Sequence, residues 1–178
     1  MRSSRVAKRY ARALLGLSND RSQLEVWGAE LERLARVIEM REIDASFASP
    51  VVSIIAKIQA LASITEKLEV SFPVRSFTAV VARHGRIPDL PAVAEEYGRM
   101  LDELMGRAPA TLIFATQPSD ADVRQIVDKL EQIAHKQIIP TIEIDQELLG
   151  GVIVELEGKT YDGSLTSRLT EAQRRLAG

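Results

Sequence analysis

Gly158-Lys159-Thr160 spells the end of a phosphate-binding loop, in which backbone N–H groups and a lysine cradle phosphate oxygens. That motif needs a glycine five residues ahead of its second glycine, and Ile153 stands there. It also sits between a strand and a long helix, whereas the residues around Gly158 alternate like two short strands joined by a hairpin turn. Gly150-Gly151 lacks the spacing of a dinucleotide fingerprint and reads as a tight approach to a strand. The two histidines, His84 and His135, stand far apart without paired ligand spacing. Each falls near a predicted helix end, where an imidazolium faces the carbonyl dipole. The carboxylate pairs Glu30/Glu32 and Glu95/Glu96 are placed on outward helix faces as solvated charge. No serine, histidine and acid arrangement suggests itself. The expectation is a non-enzyme with no catalytic residue, no cofactor and no metal, the remaining enzymatic reading being a dispersed site.

Composition points the same way. With 178 residues, 46% hydrophobic and 27% charged, the chain fits one globular domain or two small ones. The 23 basic and 25 acidic residues give a net charge of -2, too neutral for a chain whose main partner is a polyanion. Zero cysteines remove disulfides, thiolate metal sites and cysteine nucleophiles together, and agree with a reducing compartment. Val51 to Leu68, the most apolar stretch, is broken by Ser53, Lys57, Gln59 and Glu66, so no spanning helix is expected and the chain reads as soluble. The basic start, Arg2, Arg5, Lys8, Arg9 and Arg12, imitates a transit peptide. Val6, Tyr10, Leu14 and Leu17 already repeat at helical spacing, which favours a mature helix.

The first hundred or so residues read as amphipathic helices. Ser22 and Glu25 stand at capping-box spacing ahead of Leu24, Trp27, Leu31, Leu34 and Ile38. Ser49-Pro50 marks a third helix with Ile54, Ile58, Leu61 and Leu68. Pro73 opens a fourth, with Phe77, Val80, Val81 and His84, ended by Gly85. Ile87-Pro88-Asp89 starts a fifth, whose inner face is Leu90, Val93, Tyr97, Leu101 and Leu104. Short links favour an antiparallel bundle. At Gly106-Arg107-Ala108-Pro109 the period changes from helical to alternating, so a boundary is expected there, with domains 1–106 and 107–178. Beyond it come a strand over Thr111–Thr116, a helix capped by Ser119 with Val123, Ile126, Val127, Leu130 and Ile133, and an edge strand over Ile138–Ile144 containing Pro140. A third strand carries Val152, Val154 and Leu156, a short fourth Thr160-Tyr161, and a last helix is capped by Asp162 or Ser164. The fold class is α+β: a helical bundle, then a short mixed sheet with two helices.

The first helix holds the one sharp charge asymmetry. Its basic residues suit a solvated face, an acidic protein surface or lipid headgroups, and a nucleic-acid-binding module using that helix is the alternative function. Trp27 lies in the apolar stripe of the second helix, as core or as an interface anchor.

Three segments carry a family resemblance. Arg5-Val6-Ala7-Lys8-Arg9-Tyr10-Ala11-Arg12-Ala13-Leu14 resembles the opening helix of the delta subunit of bacterial F-type ATP synthases, the counterpart of the mitochondrial oligomycin-sensitivity-conferring protein. Ala82-Arg83-His84-Gly85-Arg86-Ile87 is similar to that family's turn between the last two N-terminal helices. Its C-terminal signature is matched by Leu148 to Val154, with Asp145, Gly150 and Gly151, and by Asp162, Gly163, Ser164 and Leu169; the stretch from Arg41 to Phe72 matches weakly.

The resemblance implies a peripheral-stalk stator on the cytoplasmic face of the bacterial inner membrane. Its helical bundle would grip N-terminal helices of alpha subunits, and its C-terminal domain would hold the C-terminal region of the b subunit. It also implies a groove between the first and fifth helices, with Tyr10, Ala13, Leu14, Phe77, Val80 and Val81 as lining or support, Arg9 and Arg12 meeting acids, and Trp27 as a further candidate contact. Strand edges and the final helix, with Arg168, Arg174 and Arg175, are the surfaces offered to the stalk.

Overall fold

The structure is a computed structural model, and it describes residues 4–148 and 150–162. These form seven α-helices and four strands in an α+β arrangement, divided into two compact units, one ending at Leu101 and the other starting at Asp102.

In the first unit, α1 spans Ser4–Leu15 and α2 spans Arg21–Glu39. The cap of α2 is Asp20 rather than the expected Ser22: Asp20 Oδ1 accepts from Ser22 N at 2.9 Å. Ser18 Oγ accepts from Asp20 N and holds the turn that presents that carboxylate. A helix the periodicity did not reveal, α3, runs from Arg41 to Ala48. It is eight residues long, and its apolar pair Ile43 and Phe47 makes a single helical repeat, too little to register as a pattern. The next helix, α4 (Ile54–Lys67), begins later than Ser49-Pro50 suggested, because Ser53 Oγ accepts from Ala56 N and caps it. Ser49 instead closes α3 and accepts from Val51 N in the connecting turn.

Pro73 lies in the first turn of α5 (Phe72–Arg83). Gly85, at φ 67°, ends it, with Gly85 N bonded to Ala82 O and Arg86 N to Val81 O. A 3-10 turn at Ile87–Asp89 leads into α6 (Leu90–Met105). The core joins Leu24, Trp27, Leu31, Leu34 and Ile38 of α2 to Val74 and Val81 of α5 and to Leu90, Val93, Tyr97 and Leu101 of α6. Leu104, expected on the inner face, is half-exposed beyond the last buried turn. Tyr97 is fully buried and its Oη donates to Leu24 O at 2.9 Å; burial pushes its phenol up to about 12. Gly28 makes room for that ring, since a Cβ there would stand 3.2 Å from Tyr97 Cε1 and 3.3 Å from Leu101 Cδ2.

The second unit holds β1 (Arg107–Phe114), α7 (Asp120–Ala134), β2 (Gln137–Ile144), β3 (Val152–Leu156) and β4 (Lys159–Asp162). The sheet order is β2-β1-β3-β4, with β1 and β2 parallel and the other pairs antiparallel. A parallel pair needs a crossover, and α7 supplies it. Ser119 caps α7 as expected, its Oγ accepting from Asp122 N. The first strand begins at Arg107, ahead of the expected Thr111. Pro109 is tolerated there because pairing with β3 starts only at Ala110, so no partner on that side asks for its missing N–H. Pro140 sits in the edge strand β2. Ala108, Ala110, Leu112, Phe114, Ile138, Val154 and Leu156 share one sheet face and pack with Leu130 of α7. Ile133 is 69% exposed and lies outside this core, although the helical pattern had included it. His84 and His135 are C-cap residues of α5 and α7, and His135 is left-handed at φ 53°. The β3–β4 hairpin turns at Glu157-Gly158, one residue before the Gly158-Lys159 turn expected, with φ 50° and 77° as a two-residue turn of this type requires, and Lys159-Thr160 opens β4.

Candidate partner-binding surfaces

On α1, Ala7, Ala11 and Leu14 recur at i, i+4 and i+7 and are buried, while Arg5, Lys8, Arg9 and Arg12 occupy the exposed arc. Two alanines on the buried seam let the α1 backbone lie close to the bundle. Ala13 is exposed, a short side chain beside the arginines. The helix meets α5 through Tyr10 and Phe77, whose rings are edge-to-face at 6.2 Å and 77°. Such a pair contributes about 0.5–1.5 kcal/mol beyond its buried area. The Arg9 guanidinium lies 5.4 Å from the Tyr10 ring centroid, within cation–π range, so Tyr10 has both an aromatic and a cationic neighbour. One helical turn along α5 from Phe77, Val80 is 46% exposed. Val81 and Leu14 are fully buried, and support the surface from beneath rather than lining it. Trp27, on α2, is 6% exposed and packs in the core.

The structure thus brings together Arg9, Tyr10 and Phe77. The helix carrying Phe77, Val80 and Val81 is the fifth of the chain once Arg41–Ala48 is counted, so these residues belong to the α1/α5 pair. Lys8, one of the basic residues of the first helix, reaches Glu96 of α6 at 4.0 Å, and Arg99 also bonds Glu96, at 2.9 Å. Both cations are exposed, so each pair contributes less than about 1 kcal/mol.

The placement of Glu30 on an outward face is overturned. It is 6% exposed and its Oε2 accepts from Ser71 Oγ at 2.6 Å. The signal was present: position 30 lies three residues after Trp27 and four before Leu34, inside the apolar arc. Glu32 is exposed, as expected, and pairs with Arg36 along the helix.

In the sheet unit, Asp145 N donates to Phe114 O and Asp145 Oδ1 accepts from Glu147 N, both at 2.9 Å, which ties the loop after β2 to the end of β1. Gly150 and Gly151 follow at φ 141° and 89°, backbone angles that side chains disfavour, just before β3. Asp162 closes β4. Gly163, Ser164, Leu169, Arg168, Arg174 and Arg175, and with them the expected last helix, lie outside the described residues. Ile139, Ile142 and Ile144 of the edge strand are each more than 40% exposed. Among the described residues, no group of three or more His, Cys, Asp or Glu side chains could hold a metal ion.

The family model for the ATP synthase delta (OSCP) subunit matches residues 6–176. The chain belongs to that family. It is 30% identical over 174 residues to the ATP synthase subunit delta of Citrifermentans bemidjiense and 33% identical over 174 residues to that of Geobacter metallireducens, in each case covering 97% of both chains. A chain of the Toxoplasma gondii mitochondrial ATP synthase hexamer has the same fold, with a TM-score of 0.68 at 19% identity and 97% of both chains covered. Members of the delta (OSCP) family are non-catalytic, peripheral-stalk components of ATP synthase. Among the described residues, no helix is long and apolar enough to cross a membrane.

Proposed function

We infer that this chain is the stator connector of a bacterial F-type ATP synthase, joining alpha subunits of the catalytic head to the b-subunit stalk. In a rotary machine the shaft's torque turns the head unless something holds it. A passive clamp with one grip on each neighbour meets that need. The observation that carries the reading is the surface across α1 and α5, where the partly exposed Tyr10 and Val80 offer apolar area beside the exposed cations Arg9 and Arg12, with the buried ring of Phe77 supporting Tyr10 from beneath. An amphipathic helix with an apolar stripe and an acidic rim fits it: burial supplies strength at about 25 cal/mol per Å2, and the charges set register. The other half, 107–178, is assigned to the b subunit's C-terminal region. Its edge strand, with Ile139, Ile142 and Ile144 exposed, is an available docking surface. In this reading the chain works at the cytoplasmic face of the inner membrane, as a peripheral part of the complex.

Calorimetric titration of the full chain with a synthetic peptide of the alpha subunit's N-terminal helix tests the first grip, and a peptide of the b subunit's C-terminal region tests the second. One-to-one binding of both that survives moderate salt is expected. Binding of duplex DNA alone, with a steep salt dependence, would move the assignment to the basic-helix alternative.

A further inference from the structure

The buried carboxylate of Glu30 has no part in the surface just described, yet it touches the helix that builds half of it. Ser71 is the N-cap residue of α5, but its hydroxyl does not cap its own helix. It donates instead to Glu30 Oε2 at 2.6 Å, linking α2 to the start of α5. The carboxylate is thereby held at a helix N-terminus, where the first-turn amides carry partial positive charge. The other side-chain hydrogen bonds of this segment stay local: Arg75 Nη2 to Val70 O, Thr78 Oγ1 to Arg75 O, and His84 Nδ1 to Val80 O. Among the described residues, the Ser71–Glu30 bond is the one that crosses from α5 to another helix. The remaining restraint on α5 is apolar, through Val74, Phe77 and Val81. Apolar packing resists separation strongly but specifies position along the axis less sharply than a directional, buried hydrogen bond does.

We propose that Glu30 and Ser71 form a latch that fixes α5 axially against α2, so that Phe77 and Val80 stand at a set position beside Tyr10. Glu30 is then a positioning residue for the α1/α5 surface. This rests on the reading of that surface as the alpha-subunit contact. Removing the hydroxyl leaves a buried carboxylate without its partner, and α5 relaxes toward positions in which water reaches it.

The chain has no cysteine, so Arg33→Cys on α2 and Arg83→Cys at the end of α5, both exposed positions, provide a clean pair for spin labels. In the full chain, the label distance is expected to be narrowly distributed. Ser71→Ala should broaden or shift it, with far-UV helicity unchanged, and weaken the alpha peptide about tenfold, the scale of one lost charge-assisted bond. Ser71→Thr, which keeps the hydroxyl, should restore both. Glu30→Gln keeps an acceptor without the charge and should fall between. A distribution that stays narrow and a peptide affinity within about twofold of the parent in Ser71→Ala would overturn the latch, because one such bond is worth more than that. Should the parent chain not bind the peptide at all, the reading of the surface fails, and the distance distributions still decide the latch.

Discussion

The two units bury apolar surface in different ways. In the helical unit, Tyr97, Leu14, Leu24, Leu31, Leu34, Ile38, Ile87, Leu90, Val74, Val81 and Val93 are large side chains almost wholly removed from water. Among the described residues of the sheet unit, Leu112 alone is in that class, and two of its other most buried positions are the alanines Ala108 and Ala110. The isoleucines of its edge strand remain substantially exposed. A thick core of interlocking large side chains makes a unit stable by itself. A thin core beside exposed β-branched residues makes one that gains from a partner. If both units grip as proposed, the described residues make the helical grip the rigid one and the sheet's grip the more adaptable one.

The sharpest way to break that contrast is to truncate one residue on each side. Leu34→Ala removes a fully buried side chain of α2 and should destabilise the helical unit by about 2–5 kcal/mol. Trp27 is the single tryptophan and lies in that unit, so its fluorescence in a urea titration reads this unit alone. Ile144→Ala, at a residue 44% exposed, should cost less than about 1 kcal/mol, read by hydrogen exchange of β1 amides. Equal losses at the two sites would mean that the sheet unit is as tightly packed as the bundle.

The same contrast governs how far the sequence could be read. Long helices with a repeating apolar stripe, such as α2 and α6, were legible because burial imposes a helical period over many residues. The sheet was legible because Val152, Val154 and Leu156 alternate and Gly158 marks a hairpin. The helix α3 escaped because Ile43 and Phe47 complete only one repeat. The caps Asp20 and Ser53 were missed in favour of neighbouring serines, since several residues in each turn offer a suitable oxygen and only the backbone decides which one reaches the amide. On the candidate surface, sequence alone could not separate Val80, exposed, from Val81, buried, because both are apolar neighbours and only the helix phase against α1 and α2 distinguishes them. Glu30 is the opposite case: a carboxylate ordinarily faces water, yet its position in the apolar stripe places it inside.

A second test sharpens the comparison from within the thick core. Tyr97→Phe keeps the ring but removes the buried hydroxyl's bond to Leu24 O, so a loss of about 1 kcal/mol is expected near neutral pH. The pH dependence is the more specific readout. Burial raises the Tyr97 phenol from 10.0 to about 12, so between those values the folded chain keeps a proton that the unfolded chain has released. Stability that is fully present below pH 10 is therefore lost as pH rises toward 12, by at most about 1.4 kcal/mol per pH unit. In Tyr97→Phe that part of the alkaline slope should vanish. A slope unchanged by the substitution would show that the ring is reached by water in solution, and the helical core would be looser than the sealed packing around Gly28 implies.

The smallest effect belongs to the sheet unit. Lys136, in the corner between α7 and β2, is paired with Glu157 in the β3–β4 turn, a contact between two segments at opposite sides of β1 in the sheet order. Both side chains are at least a third exposed, so water screens the attraction and Lys136→Ala should cost less than about 1 kcal/mol, most of it lost in moderate salt. Hydrogen exchange at β3 amides, with and without added salt, measures it. If the cost were instead several times larger and insensitive to salt, the sheet unit would owe its cohesion to polar ties around its rim as much as to Leu112 and Phe114. The docking proposed along β2 would then rest on charge placement, and the exposed isoleucines would matter less than the comparison of the two cores suggests.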